Sequence, residues 1–260
     1  MVLKQTRNAG LPPSLSMNDG VAMICLNRPA QHNRLDPDDL SVIVGLIADA
    51  CHDISTRLLV ITGAGQTTFC SGYTLDAIIE RLDDRFEAML EAVASCPVPT
   101  LAAINGSAYG GGTDLALCCD FRIAVAVTDT GPLQAMMPAA QFGLHYHPSG
   151  LARYVAQMGL SAAKKLVLTG QTMGADELLA NGFLTELVGN HEALKERINA
   201  YAHSLSVCEP AVVSSMKLQM DCIAADAASS VAKDRSQYIQ SLLSNELSVR
   251  VNRRLNRDKK

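Results

Sequence analysis

Apolar residues recur along the chain at two spacings, one typical of strands and one typical of helices. Strand-like runs bounded by turn residues alternate with runs at three- and four-residue spacing over about the first 145 residues. This alternation predicts a layered α/β core. The predicted strands cover residues 14–26 as a hairpin turning at 18–20, then 58–62, 100–104 and 121–127. The predicted helices begin at 36–37, cover 75–93, run through 115–117, and cover 161–168 and 175–180.

Beyond about residue 190 the chain is almost entirely helical in pattern, with one break near Glu209-Pro210. No low-complexity linker precedes this region, so the two parts are expected to pack together. The sequence therefore predicts an α/β core over residues 1–190 and a helical C-terminal region over 191–260.

Composition and charge exclude several classes of protein. Apolar residues make up 48% of the chain and charged residues 18%, which is enough for a large core. The net charge of −4 disfavours a nucleic-acid partner, and no apolar run reaches the length of a membrane span. The amino terminus lacks the apolar segment of a signal peptide, and the eight cysteines contain no Cys-x-x-Cys. We expect a cytoplasmic protein with reduced cysteines and no membrane partner.

The basic tail RVNRRLNRDKK, residues 250–260, has two interpretations. It is a solvated helix end that complements the helix dipole, or it contacts ligand phosphates of its own or a neighbouring subunit.

The stretch NGSAYGGGTDLAL, residues 105–117, brings the backbone of three consecutive glycines to the start of a helix. It lacks the Gly-Lys-Ser/Thr of a Walker phosphate loop and the spacing of a dinucleotide fingerprint. The chain also lacks Gly-x-Ser-x-Gly and His-Glu-x-x-His, so a nucleophile elbow and a metal site are not indicated.

A strand, a glycine turn and a helix occur twice, over residues 58–78 and 100–119. In each copy a backbone N–H at a helix start can face a cleft with no side chain in the way. Two such groups aimed at one point would form an oxyanion hole. The alternative is that the glycines only allow helices to pack closely on strands.

Four segments of the chain resemble the crotonase superfamily, the enoyl-CoA hydratase/isomerase family. They are VAMICLNRPAQHNRL (21–35), RLLVITGAGQTTFCSGYTL (57–75), PTLAAINGSAYGGGTDLALCCDFRIA (99–124) and LVLTGQTMGADELLANGFLTELV (166–188). The resemblance implies a core of repeated ββα units, a helical C-terminal oligomerisation region, and a homotrimer or homohexamer.

The resemblance also implies an acyl-CoA thioester substrate whose carbonyl oxygen lies between two backbone N–H groups. By position these are the N–H groups of Tyr73 and Gly111, with Gly72, Gly110 and Gly112 shaping the substrate site. Coenzyme A would enter as part of the substrate, and no other cofactor and no metal is implied.

Two carboxylate positions of the family differ in this chain. Hydratases use two glutamates, whereas this chain has Asp114 at the first position and Ala139 at the second. Asp114 is interpreted as a general acid/base or as a first-turn acid that complements the helix dipole. Because hydration needs one group to activate water and another to deliver a proton, Ala139 disfavours ordinary hydratase activity.

The segment GLHYHPSG, residues 143–150, places His145, Tyr146 and His147 where the family has a glycine- and proline-rich segment. A histidine here could replace the missing acid or base, since its pKa lies near neutrality. The alternative is a surface loop with no role.

The leading hypothesis is therefore an acyl-CoA enzyme that stabilises a thioester enolate, with Asp114 as acid/base. Isomerase, lyase or decarboxylase chemistry fits one proton-transfer group as well as hydration does. The competing hypothesis is an acyl-CoA-binding protein that has lost catalysis, which Ala139 favours.

Overall fold

A computed structural model describes residues 10–226 and 235–257 of the chain. The strands are β1 (Ser14–Asn18), β2 (Val21–Leu26), β3 (Leu58–Gly63), β4 (Thr68–Cys70), β5 (Thr100–Ile104), β6 (Ser107–Tyr109), β7 (Phe121–Val125), β8 (Val127–Thr128), β9 (Gly131–Pro132), β10 (Gln134–Met136), β11 (Met173–Gly174) and β12 (Glu186–Val188). The helices are α1 (Asp39–His52), α2 (Ile78–Arg81), α3 (Asp84–Ala94), α4 (Gly111–Leu117), α5 (Pro148–Thr169), α6 (Ala175–Ala180), α7 (His191–Ser206), α8 (Pro210–Asp226), α9 (Ser236–Leu242) and α10 (Asn245–Arg257).

Two sheets form the framework of the core. The larger has the strand order β1-β2-β3-β5-β7-β12, and all its pairs are parallel except the β1–β2 hairpin. The smaller has the order β11-β10-β6-β4, with β4, β6 and β10 parallel. Successive units contribute one strand to each sheet and then a helix, as in β3-β4-α3 and β5-β6-α4. The chain is therefore built from repeated ββα units.

Alternate residues of the large sheet bury their side chains on opposite faces, as the two-residue period of a strand requires. Leu59, Ile61 and Ala102 face the main core between the sheets and helices. Leu58, Val60 and Leu101 face a second, smaller core that α7 covers with Leu194 and Ile198. Burial on both faces explains why these strands are continuous apolar runs in the sequence.

Several sequence predictions are confirmed by the structure. The hairpin turns at Asp19-Gly20, α6 spans Ala175–Ala180 as expected, and α5 ends at Gly170 in a left-handed conformation. The break between α7 and α8 coincides with Pro210. Among the described residues no strand follows Val188, so the region from His191 onward is helical there. The division into two domains at residue 190 stays a prediction.

Two local predictions were wrong. The helix expected over 75–93 is interrupted at Leu82-Asp83, because the Asp83 side chain accepts the Arg85 N–H and starts α3 afresh. Asp36 does not cap α1, because its carboxylate is bound to side chains that include Arg34. The helix expected over 161–168 is present as the second part of α5, because Gly159 has a non-helical conformation with φ of +72° and separates it from the first part, which begins at Pro148.

No helix within the described ranges is long and apolar enough to cross a membrane. The part of the basic tail that the structure describes belongs to α10, where Arg250 pairs with Glu246. Residues 258–260 of the tail lie outside the described residues. The contact of the tail with ligand phosphates stays a prediction.

Candidate active site

The candidate site forms where two parallel strands of the small sheet end side by side. β4 ends at Cys70 and leads to Gly72, while β6 ends at Tyr109 and leads to Gly111. Because β4 and β6 are parallel neighbours, their carboxyl ends deliver both glycine turns to the same edge. A Cβ on Gly72 would lie 2.7 Å from Gly111 N and 2.8 Å from Tyr109 O, so the two backbones are in close contact.

The backbone geometry at this edge requires glycine. Gly72 has φ of +87° and Gly110 has φ of +52°, both in the left-handed region. A Cβ on Gly112 would lie 2.4 Å from Cys70 O. Gly111 begins α4, so its N–H has no partner within the helix. The hydrogen bonds of the described residues also leave the Tyr73 N–H without an acceptor.

The two unpaired N–H groups, those of Tyr73 and Gly111, belong to adjacent backbones. This arrangement supplies what an oxyanion requires, namely two preorganised backbone donors, of which the one at Gly111 stands at a helix start. The Tyr73 side chain makes other contacts: its hydroxyl donates to Arg81 O at 2.8 Å, and its ring packs edge-on against Phe86. Phe86 in turn covers Gly111, because a Cβ there would lie 2.6 Å from Phe86 Cζ.

Asp114 lies one turn into α4 and is completely buried. Arg153 of α5 donates through Nε to Asp114 Oδ1 at 2.8 Å and through Nη2 to Oδ2 at 3.2 Å. The Tyr146 hydroxyl donates to Oδ2 at 2.9 Å. The carboxylate is thus enclosed by donors from α5 and from the loop that precedes it.

The charge state of Asp114 follows from these contacts. Burial by itself would raise the pKa of this carboxyl, but Arg153 and His147 outweigh it and hold the pKa well below its ordinary value. Burial and the neighbouring Asp114 raise the pKa of Tyr146 well above the ordinary value of a phenol. Asp114 is therefore an ionised acceptor and Tyr146 a neutral donor, which is a poor starting point for proton transfer by either group.

His147 is buried between two carboxylates. Its Nδ1 accepts the Gly150 N–H at 3.1 Å and so caps the start of α5. This bond assigns the proton of the neutral ring to Nε2. Nε2 lies 3.0 Å from Asp114 Oδ2, within ion-pair distance, but is not aligned with it as a hydrogen bond. We interpret this contact as electrostatic.

His145 and Ala139 contribute differently from the other candidates. His145 is exposed, and its backbone N–H donates to Ser241 Oγ, so the structure places it outside the cluster around Asp114. Ala139 is the buried first residue of a 3₁₀ turn, and its methyl group offers no acid or base. The structure thus brings together Tyr73, Gly111, Asp114, Tyr146 and His147.

Sequence reasoning missed Arg153 and Glu87. Arg153 neutralises Asp114 across 39 positions of sequence, and no local spacing predicts such a pair. Glu87 is on α3, where its Oε2 accepts from Ser149 Oγ at 3.3 Å and lies 3.6 Å from His147 Nδ1. The only signal for Glu87 was its position directly after Phe86 in an amphipathic helix. The only signal for Arg153 was that a buried carboxylate needs a cationic partner.

A cavity of about 340 Å³ lies elsewhere, at the amino ends of β3 and β5, and is lined in part by Cys51, Thr56 and Pro97. None of the candidate site residues lines it. The argument for the site therefore rests on the backbone donors and the buried charges.

Comparison with known proteins agrees with this architecture. The model of the enoyl-CoA hydratase/isomerase family matches residues 16–250. The chain belongs to the enoyl-CoA hydratase/isomerase family. This is a family of enzymes, and the resemblance inferred from the four sequence segments is confirmed.

Among curated relatives, the (E)-benzylidenesuccinyl-CoA hydratase of Thauera aromatica is 31% identical over 217 residues, 80% of this chain and 81% of that protein. The mitochondrial enoyl-CoA hydratase domain-containing protein 2 of Bos taurus is 29% identical over 236 residues, 86% of this chain and 78% of that protein. The names of these relatives indicate enzymes of CoA thioesters.

Solved structures show the same fold. An enoyl-CoA hydratase from Bacillus anthracis superposes with a TM-score of 0.71 at 26% identity, covering 84% of this chain and 89% of that one. A methylmalonyl-CoA decarboxylase superposes with a TM-score of 0.84 at 18% identity, covering 95% of this chain and 96% of that one. The second likeness shows the fold alone. The predicted crotonase-like α/β core with a helical C-terminal region is confirmed.

Proposed function

We propose that this enzyme binds an acyl-CoA thioester with its carbonyl oxygen between the N–H groups of Tyr73 and Gly111 and stabilises the derived enolate. The observation that carries the proposal is the juxtaposition of two unpaired backbone donors at the ends of β4 and β6. Negative charge develops on the thioester oxygen when the neighbouring carbon becomes a carbanion. One such donor is worth about 3 kcal/mol in a transition state.

Two reaction classes remain for this enolate. Hydration or isomerisation with Asp114 as general acid/base is supported by the hydratase names of the relatives. Decarboxylation of a malonyl-type thioester is supported by the absence of a carboxylate at Ala139 and by the engagement of Asp114 with Arg153. Loss of CO₂ leaves its electron pair on the thioester, so this reaction forms the enolate without a base.

We favour a reaction in which Asp114 stays ionised and holds Arg153, Tyr146 and His147 in place. An Asp114 whose pKa is held low is a weak base and is not protonated near neutral pH. The acyl-CoA-binding protein without catalysis is the alternative outcome, and Ala139 is the observation that favours it.

The experiment is turnover on a panel of enoyl-, 3-hydroxyacyl- and malonyl-type CoA thioesters, with Asp114→Asn as the variant. Turnover of the malonyl type that a folded Asp114→Asn variant retains supports our proposal. Hydration abolished in the variant supports Asp114 as acid/base. Binding without turnover on any substrate contradicts the enzyme and supports the binding protein.

The family resemblance further leads us to propose a homotrimer or homohexamer in the cytoplasm. α8 presents exposed apolar side chains in the single chain, among them Val212, Leu218, Met220 and Ile223, as a helix that packs on another subunit would. Light scattering coupled to size-exclusion chromatography measures the assembly. A monomer at micromolar concentration would contradict it.

A further inference from the structure

Glu87 is a carboxylate beside the candidate site that neither the sequence pattern nor the family resemblance assigned. It follows Phe86 on the first turn of α3, and the Phe86 ring lies against Gly111. The Glu87 side chain reaches the start of α5, where its Oε2 lies 3.3 Å from Ser149 Oγ, a hydroxyl that it shares with His147 Nδ1 at 2.9 Å. It therefore lies in the layer that covers the start of α4.

Glu87 and Asp114 are two carboxylates in different environments, and they flank the same imidazole. His147 Nε2 faces Asp114 at 3.0 Å, and His147 Nδ1 faces Glu87 at 3.6 Å. The Asp114 side chain has no exposed surface, whereas 19% of the Glu87 side chain is exposed. Two such environments commonly give two carboxylates different roles.

Access decides which carboxylate can exchange a proton. Asp114 is saturated by Arg153 and Tyr146, and no water reaches it. Glu87 has an ion pair with Arg235, whose Nη2 lies 2.5 Å from Oε1 and also contacts Asp84. Arg235 thus occupies Oε1, and Oε2 is the oxygen of Glu87 that faces Ser149 and His147.

We propose that Glu87 removes and returns the α-proton of the bound thioester, and that Ser149 and His147 orient it. This inference rests on the proposed function and names the proton-transfer group of that same site. The Glu87 carboxylate takes the proton from the α-carbon, and the C–H electron pair moves onto the thioester oxygen, which the Tyr73 and Gly111 N–H groups hold. The reverse step returns the proton to carbon. In D₂O the carboxyl proton exchanges with solvent deuterium between the two steps, and the return step then places deuterium on the α-carbon.

The same group serves decarboxylation. There the C–C bond supplies the electron pair and CO₂ leaves, so only the return of a proton to the α-carbon is required. Glu87 in its protonated form would deliver that proton.

The test is exchange of the α-protons of butyryl-CoA, incubated with the full chain in D₂O and followed by NMR. Glu87→Gln keeps the shape of the side chain, and we expect it to lower the exchange rate by about 100-fold or more with unchanged Kd. Glu91→Gln is the matched control, since Glu91 is exposed one turn later on α3; it is expected to exchange at the wild-type rate. Glu87→Asp should restore part of the exchange.

Ser149→Ala tests the orienting role. It should lower the exchange rate by about tenfold without changing Kd, because a carboxylate that is misplaced by a fraction of an ångström still binds but reacts poorly. Circular dichroism and thermal unfolding verify that each variant folds.

Three results would overturn the inference. One is wild-type exchange by a folded Glu87→Gln variant that binds butyryl-CoA. Another is wild-type protein that binds butyryl-CoA but exchanges nothing, and a third is a greater loss in Asp114→Asn than in Glu87→Gln. Failure of wild-type protein to bind any acyl-CoA would overturn the proposed function itself, and this inference with it.

Discussion

Asp114 is a charged side chain without access to water, so the stability of the folded chain depends on the hydrogen-bond donors around this carboxylate. Arg153 is the principal donor, and its own side chain is mostly buried. Removing one partner of a buried ion pair leaves the other charge uncompensated, which destabilises a protein by about 3–5 kcal/mol.

Arg153→Met should therefore lower the free energy of unfolding by about 3–5 kcal/mol, measured by urea denaturation. The double variant Asp114→Asn/Arg153→Met should recover part of this loss, because no unpaired charge remains. Arg250→Met breaks an exposed pair with Glu246 and should change stability by only about 0.5 kcal/mol. Equal losses in Arg153→Met and Arg250→Met would contradict the description of the buried cluster.

The backbone at Gly72 permits a second prediction at the same scale. Gly72→Ala places a Cβ 2.7 Å from Gly111 N at a φ of +87°, where the neighbouring atoms are backbone and cannot move aside. We expect a loss of about 1–3 kcal/mol in stability and a large loss of acyl-CoA affinity, measured by calorimetry. In Gly45→Ala nothing lies within 4 Å of the new Cβ in α1, so stability should rise by about 0.5–1 kcal/mol. An unchanged affinity in Gly72→Ala would remove this turn from the site.

At the scale of secondary structure, α3 carries Phe86 and Glu87 into the site, and its start is fixed by a single cap. The Asp83 side chain accepts the Arg85 N–H at 3.0 Å. By contrast, Asp38 precedes α1 without a side-chain cap bond. These two aspartates form a matched pair, since each is the residue before a helix and each has an arginine partner at the surface.

Asp83→Ala should lower the free energy of unfolding by about 1 kcal/mol, because a donor at the start of α3 loses its acceptor. Asp38→Ala should change it by less, as an exposed ion pair alone is worth little. Thermal unfolding of both variants measures these changes. A larger loss of stability in Asp38→Ala than in Asp83→Ala would show that the cap does not fix the start of α3.

For the whole molecule, the buried Asp114 makes the free energy of unfolding depend on pH in the acid range. The pKa of Asp114 in the folded chain is well below its pKa in the unfolded chain. In the unfolded chain an aspartate has a pKa of about 3.9. The stabilisation is therefore fully present above the unfolded pKa, and it is lost progressively as pH falls from there toward the folded pKa. Asp39 has the opposite effect on the pH dependence of stability, because burial raises its pKa in the folded chain.

We expect the free energy of unfolding to fall as pH is lowered from about 5 to 3. Asp114→Asn/Arg153→Met should show a weaker dependence over the same window, measured by urea denaturation at each pH. The same dependence in both proteins would assign the acid sensitivity to other carboxyls.

Local chemistry made much of the secondary structure predictable from the sequence. Two-sided burial made β3 and β5 recognisable as apolar runs, and Gly170 and Pro210 marked helix boundaries. The interruption of the helix expected over 75–93 was not predictable from periodicity, since the apolar spacing continues through Asp83. The glycines at 72 and 110–112 indicated close backbone approach, and the structure agrees: Gly72 and Gly110 have positive φ, and a Cβ on Gly72 or Gly112 would meet backbone atoms.

The sequence by itself determined the alternation of strands and helices and the two glycine turns. Its resemblance to the family implied the ββα repeats and the replacement of a carboxylate by Ala139. Tertiary structure alone decided what surrounds Asp114 and Glu87. Arg153, Tyr146 and His147 reach Asp114 from 32 to 39 positions away, through the packing of α5 on α4. Protonation depends on burial and on the nearest charges, which are properties of packing. The same acidic side chain can therefore be a base in one fold and a fixed anchor in another.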